Sequence, residues 1–251
     1  MNPEPLAPNP SIDLAQPAQT PHDPALRTTR RVFFGLALLD VALVLLGLAL
    51  VPAVLQAGGL LGASAAALIV CLYAYLGLAS PLSLTRVPGQ IWRMGAFTGL
   101  IGGTWLGLDL LSNYFIYRDG AANSKISLVV YGVYFLLLLG TAIRAGALTK
   151  RFRAGLTAAV WYVLTAQLIW FAVEFGAYYL LGRTVVGMQF IQEEMAADFL
   201  RSGMQDFPAF VIGDFFGAGF FHLLLIGLIA LLLFGSMGAM LGKQIASRKK
   251  A

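Results

Sequence analysis

The stretch GAFTGLIGGTWLGLD, residues 95–109, sets Gly95, Gly99, Gly103 and Gly107 four residues apart and runs them into Asp109. In water, a glycine inside a helix costs roughly 1 kcal/mol against alanine, so four in register argue against a soluble helix. Inside a bilayer the balance changes. Apolar side chains gain nothing by leaving lipid for protein, and helices associate through close backbone packing, which small residues permit. Residues four apart share a helix face, so the four glycines form a groove that another helix can occupy. The spacing predicts a glycine zipper on a transmembrane helix at the centre of its bundle. It carries no signal for chemistry.

The sequence on either side agrees with a membrane setting. Of 251 residues, 59% are hydrophobic and 12% charged, against about 25% charged in soluble domains. Apolar runs long enough to cross roughly 30 Å of hydrocarbon recur at about 32–54, 58–79, 92–117, 126–149 and 155–181. A last run covers 210–242, but its opening FPAFVIGDFFGAGFF holds Pro208, Gly213, Asp214 and Gly217, so the span is read as starting near Phe215. The predicted fold is all-α: a polytopic bundle of six transmembrane helices within residues 31–243. Cys71 is the sole cysteine, which excludes an intrachain disulfide and a cysteine metal site.

Orientation follows from the basic residues, which concentrate on the cytoplasmic side of membrane proteins. With the N-terminus inside, thirteen cations fall in cytoplasmic segments: Arg27, Arg30, Arg31, Arg86, Arg93, Arg144, Lys150, Arg151, Arg153, Lys243, Arg248, Lys249 and Lys250. Only Arg118, Lys125, Arg183 and Arg201 fall outside. Both termini are therefore predicted cytoplasmic, in a plasma (inner) membrane. The net charge of +5 is explained by topology, with the lipid bilayer as partner and no nucleic acid.

Residues 1–30 carry seven prolines, ending at Pro24, and read as a disordered cytoplasmic tail; residues 244–251 form a short basic tail. TRRVFFG at 29–35 resembles a twin-arginine export signal, but Asp40 interrupts the apolar run and five more spans follow. Its arginines read as anchors of a retained first span. Between spans 5 and 6, GMQFIQEEMAADFLRSGM spaces Met188, Ile191, Met195 and Phe199 three and four apart, which predicts an exterior amphipathic helix over about 186–203.

The candidate site residues are the ionisable and polar groups at membrane depth. A carboxylate there costs about 2.5–3.5 kcal/mol or more unless paired, protonated or hydrated. Asp40, Asp109 and Glu174 are such acids, and His222 is the one histidine in any span. Asn113 shares a helix face with Asp109, while Gln167, Glu174 and Tyr178 form a stripe at spacings of seven and four. Counted from the span ends at 1.5 Å per residue, Asp109, Glu174 and His222 all fall roughly 10–12 Å below the outer interface. This predicts a shared substrate or ion site in the outer half, with Asp40 deeper.

Enzyme signatures fail. LGASAAA around Ser64 resembles the serine motif of rhomboid proteases but lacks the following glycine, and its span holds no histidine. EEMAADFLR resembles the paired glutamates of membrane CAAX-type proteases, with its arginine displaced. Paired-histidine haem ligation and the nucleotide-binding motifs lack their residues, and a single histidine, His222, beside two acids makes a weak metal set; the sequence assigns no catalytic residue and names no cofactor. Six spans, glycine-rich packing and outward ionisable groups resemble, in architecture, the vitamin-binding subunits of energy-coupling-factor transporters. That implies a small transport protein or the substrate-binding membrane subunit of a transporter. The alternative is an accessory or assembly subunit that docks a membrane protein through its glycine-rich helix faces.

The topology predicts that an impermeant thiol reagent, added outside to a Cys71→Ser background, labels a cysteine at position 198 and spares one at 248. The reverse pattern would invert it.

Overall fold

A computed structural model of the chain describes residues 24–56, 59–79, 87–116 and 120–248. The proline-rich segment up to residue 23, Arg86, Arg118 and residues 249–251 lie outside the described residues. The elements are α1 (Pro24–Leu50), a short α2 (Ala53–Gln56), α3 (Gly59–Ala79), α4 (Gly89–Ser112), α5 (Gly120–Thr149), α6 (Phe152–Leu181), α7 (Val185–Ser202) and a last helix, α8 (Phe207–Arg248). Among the described residues there is no strand. Six helices (α1, α3, α4, α5, α6 and α8) are long and apolar enough to span a membrane, the make-up of a multi-pass helical membrane protein.

Two helix starts differ from the sequence reading, both at prolines. Helix α1 begins at Pro24, so residues 24–30 belong to it and not to a tail. Helix α8 begins at Phe207, eight residues before Phe215. A proline in the first helical turn loses no hydrogen bond, because those N–H groups have no intrahelical partner. The Asp206 carboxylate caps the helix by accepting from the Ala209 N–H at 2.9 Å. Pro208 thus starts the helix instead of delaying it. Helix α7 is similarly framed. The Thr184 hydroxyl oxygen accepts from the Gly187 N–H at 3.1 Å, and Gly203 ends the helix with φ at 69°, a conformation that suits glycine. Of the apolar stripe of α7, Ile191 and Met195 are buried and Met188 is exposed.

The central helix is α6, not the glycine-rich α4. Of the apolar window of α6, 67% is buried inside the protein, against 28–33% for each of the other five. The physical reason lies in the side chains. A glycine face lets α4 press against one neighbour, while Phe97, Leu100, Ile101 and Trp105 on its other faces stay exposed. Helix α6 is apolar all round, with Trp161, Tyr162, Phe171 and Phe175 buried, and a helix of that kind belongs in a core.

Gly95, Gly99, Gly103 and Gly107 lie against the Ala158, Tyr162, Ala166 and Val173 positions of α6. Both numberings rise together, so the two helices run parallel. A Cβ added at Gly99 would meet the Tyr162 carbonyl oxygen at 2.5 Å, and one at Gly103 the Ala166 oxygen at 2.7 Å. A second parallel seam joins α8 to α5, where Gly238 and Gly242 face the Leu139 and Ile143 carbonyls. Helix α1 joins α6 through Gly47, which faces Tyr179 and Phe216, and through the Tyr179 hydroxyl, which donates to the Leu43 carbonyl at 2.8 Å. These glycine faces are filled within the chain. Elsewhere Gly35, Gly132, Gly140, Gly176 and Gly217 meet nothing within 4 Å.

Gly103→Ala is expected to push α4 from α6 and to destabilise by about 1–3 kcal/mol, the usual cost of overpacking. Gly140→Ala, which meets nothing within 4 Å, serves as control. Equal melting of both variants and the parent in detergent would contradict the backbone contact.

Candidate functional site

At the α7 end of the bundle, α4, α5, α6 and α8 diverge around a cavity of about 230 Å³. Each helix contributes side chains one turn apart, as residues four apart on a helix must when they share a face. Helix α4 supplies Asp109 and Asn113, α5 supplies Asn123, Ser127 and Tyr131, α6 supplies Trp170 and Glu174, and α8 supplies Asp214, Ala218 and His222. Helix α7 crosses the same space with Phe190, Ile191, Glu194 and Met195. Tyr114 and Phe215 complete the aromatic part of the wall.

The acids form a gradient of exposure. Glu194 and Asp214 are exposed, Asp109 is half-buried, and Glu174 is buried at 8% exposure. The Glu174 Oε2 has no hydrogen-bond partner among the described residues. None of the described residues lining the cavity is a lysine or arginine.

His222 is held by its ring. It stacks on Trp170 with centroids 3.9 Å apart and planes at 13°. The Tyr131 hydroxyl stands 3.4 Å from both Nδ1 and Nε2, too long and too evenly shared to favour one tautomer. His222 also opens a π-helical segment, His222–Ile226. Such widened turns are concentrated at functional sites in helical proteins. The Tyr73 hydroxyl of α3 donates to the Leu223 carbonyl inside this segment, and so braces the widened turn from behind.

Of the residues singled out in the sequence, Asp109, Asn113, Glu174 and His222 line this cavity. Gln167, Tyr178 and Asp40 do not. Gln167 is fully buried two turns before Glu174 and donates through Nε2 to the Tyr134 hydroxyl at 3.0 Å. The Tyr162 hydroxyl donates to the Tyr134 carbonyl at 2.9 Å, so Gln167 belongs to a cross-link between α5 and α6. Tyr178 packs edge-on against Phe215, with centroids 5.0 Å apart. Asp40 is at 0% exposure, and neither of its oxygens has a partner among the described residues.

Glu194, Asp214, Tyr131 and Trp170 escaped the sequence reading. Asp214 was lost by starting the last span at Phe215, which left it in a loop. Once the helix begins at Phe207, Asp214, Ala218 and His222 share one face at spacings of four. Trp170 precedes Glu174 by four in the same way, and periodicity alone could have found it. Among the described residues no three of His, Cys, Asp and Glu stand close enough to hold a metal ion.

No protein-family model, no curated protein and no solved structure matches this chain.

Proposed function

We propose that this protein is a small transport protein, or the substrate-binding membrane subunit of a transporter, which takes its substrate in the cavity beneath α7. In this reading it crosses a plasma membrane six times with both termini cytoplasmic and α7 outside, as the basic residues imply. Asp109, Asn113, Glu174 and His222 are its binding residues.

One observation carries the reading: a buried carboxylate, Glu174, whose Oε2 lacks an internal partner and which lies on a cavity wall. Acids that merely lock a membrane bundle are expected to pair with neighbouring donors, because an unmet charge in a dry interior is costly. An acid left unmet on the wall of a concave, partly apolar space is the arrangement of a ligand site. Exposure that rises from Glu174 through Asp109 to Asp214 and Glu194 supplies a graded path from the α7 end. At about 230 Å³ the space falls below the roughly 300–1,000 Å³ of drug-sized pockets, so it suits a small metabolite.

The reading is tested by purifying the full chain under native conditions and identifying small molecules released on denaturation. Wild-type protein is expected to release a stoichiometric small molecule. Asp109→Asn and Glu174→Gln should remain monodisperse yet lose it, since a hydrogen bond to a charged group contributes about 1.5–3 kcal/mol, roughly tenfold to a hundredfold in affinity. A wild-type protein that carries no small molecule and purifies in fixed ratio with another membrane protein would overturn the proposal in favour of an accessory subunit.

A further inference from the structure

The cavity also indicates what kind of molecule fits it. Resting on the substrate-site reading above, we propose that the ligand is a small organic cation, a protonated or quaternary amine, held between carboxylates and aromatic faces.

Charge decides the first step. Glu174, Glu194 and Asp214 line the space with Asp109, and none of the described lining residues is a lysine or arginine. His222 is the one other titratable nitrogen there, and it is stacked on Trp170. An anion would meet repulsion from Glu174, Glu194 and Asp214, with no lysine or arginine among the described lining residues to offset it. A neutral ligand such as a sugar would displace water from the acids without compensating them, and the desolvation cost of Glu174 would remain. A cation removes that cost.

Size and shape decide the second. A bare metal ion needs several oxygens or nitrogens converging on one point, and no three of His, Cys, Asp and Glu converge among the described residues. At about 30 Å³ per water, a cavity of about 230 Å³ has the volume of several waters, far more than one ion needs. The walls also offer broad rings: Tyr114, Tyr131, Trp170, Phe190 and Phe215. Aromatic faces attract a diffuse positive charge through their quadrupole, and Trp is the best at it. The His222 stack at 3.9 Å holds the Trp170 ring in place in advance of binding, which lowers the ordering cost that a ligand would otherwise meet. Rings and acids around one cavity are the chemistry of ammonium recognition.

The test uses the full chain in detergent and calorimetric titration with choline, with tetramethylammonium, and with 3,3-dimethyl-1-butanol, which replaces the choline nitrogen by carbon at nearly the same shape. Glucose and acetate serve as neutral and anionic comparisons. Choline or tetramethylammonium is expected to bind at least tenfold more tightly than the neutral isostere, and to lose at least tenfold in Glu174→Gln and in Trp170→Leu. Should Glu174→Gln fail to fold, Asp214→Asn at the exposed edge takes its place. Equal affinity for choline and its carbon isostere overturns the proposal, as does the absence of choline and tetramethylammonium binding at millimolar concentration. Binding of glucose or acetate that is lost in Glu174→Gln would keep the cavity as a substrate site and reject only the cation. Choline affinity unchanged in both variants would reject the cavity as its site.

Discussion

The arrangement of this protein depends on one contact, the backbone of α4 laid directly on the backbone of α6. At Gly95, Gly99 and Gly103 the backbone of α4 meets backbone atoms of α6, Gly107 meets the Val173 side chain, and the turns of the two helices advance together. Register is then fixed to within a turn. Because Gly107 faces Val173, Asp109 and Glu174 follow within two residues of that contact, at one level on adjoining helices. The glycines that open the quoted stretch and the aspartate that closes it are thus parts of one arrangement. The first set the register, and the register brings the second alongside a glutamate on the next helix. Helix-propensity cost is a minor charge against this, since a membrane helix keeps its backbone bonded whatever its side chains.

A second parallel seam does the same on the other side of the cavity. Gly238 and Gly242 press α8 onto the Leu139 and Ile143 carbonyls of α5. This close contact lies toward the end of α8 opposite Asp214 and His222. The two helices therefore pack tightly at one end, and the cavity opens between them at the other. The π-helical segment His222–Ile226 occupies the transition, and Tyr73 fills the space behind it by donating to Leu223. A bundle held tightly at one end can hold acids at the other, because polar residues near a mouth keep access to water. The same acids in the tight half would each carry the full insertion cost of about 2.5–3.5 kcal/mol.

Length and hydropathy made the six helices legible, and fixed helical rise made depth legible. Counting residues from span ends sets Asp109, Glu174 and His222 at one level, and all three line the cavity. Neighbour identity was not legible. A helical wheel says which residues share a face but not what the face meets, so Gln167 looked like a companion of Glu174 while it in fact reaches Tyr134. Centrality was misread for a related reason. Glycine repeats report one close contact, whereas a central helix needs apolar residues on every side, as α6 has in Trp161, Tyr162, Phe171 and Phe175. Pro208 misled because its effect depends on position: it breaks a helix interior and suits a first turn.

The remaining step concerns the field that these contacts create. None of the described residues that line the cavity is a lysine or arginine. Low-dielectric walls concentrate such a field toward the opening, where charges of one sign raise the local concentration of opposite ions. Glu194 sits on α7 and Asp214 near the start of α8, so the exposed part of this field comes from the two elements nearest the mouth. Glu174 and Asp109 come from the two helices locked by glycine. The exposed acids are thus carried on α7 and near the start of α8. The half-buried Asp109 and the buried Glu174 are carried on the pair joined by the glycine contact. That division follows from the packing itself: the glycine contact fixes the register of α4 against α6, and the register sets Asp109 and Glu174 at one level on adjoining helices.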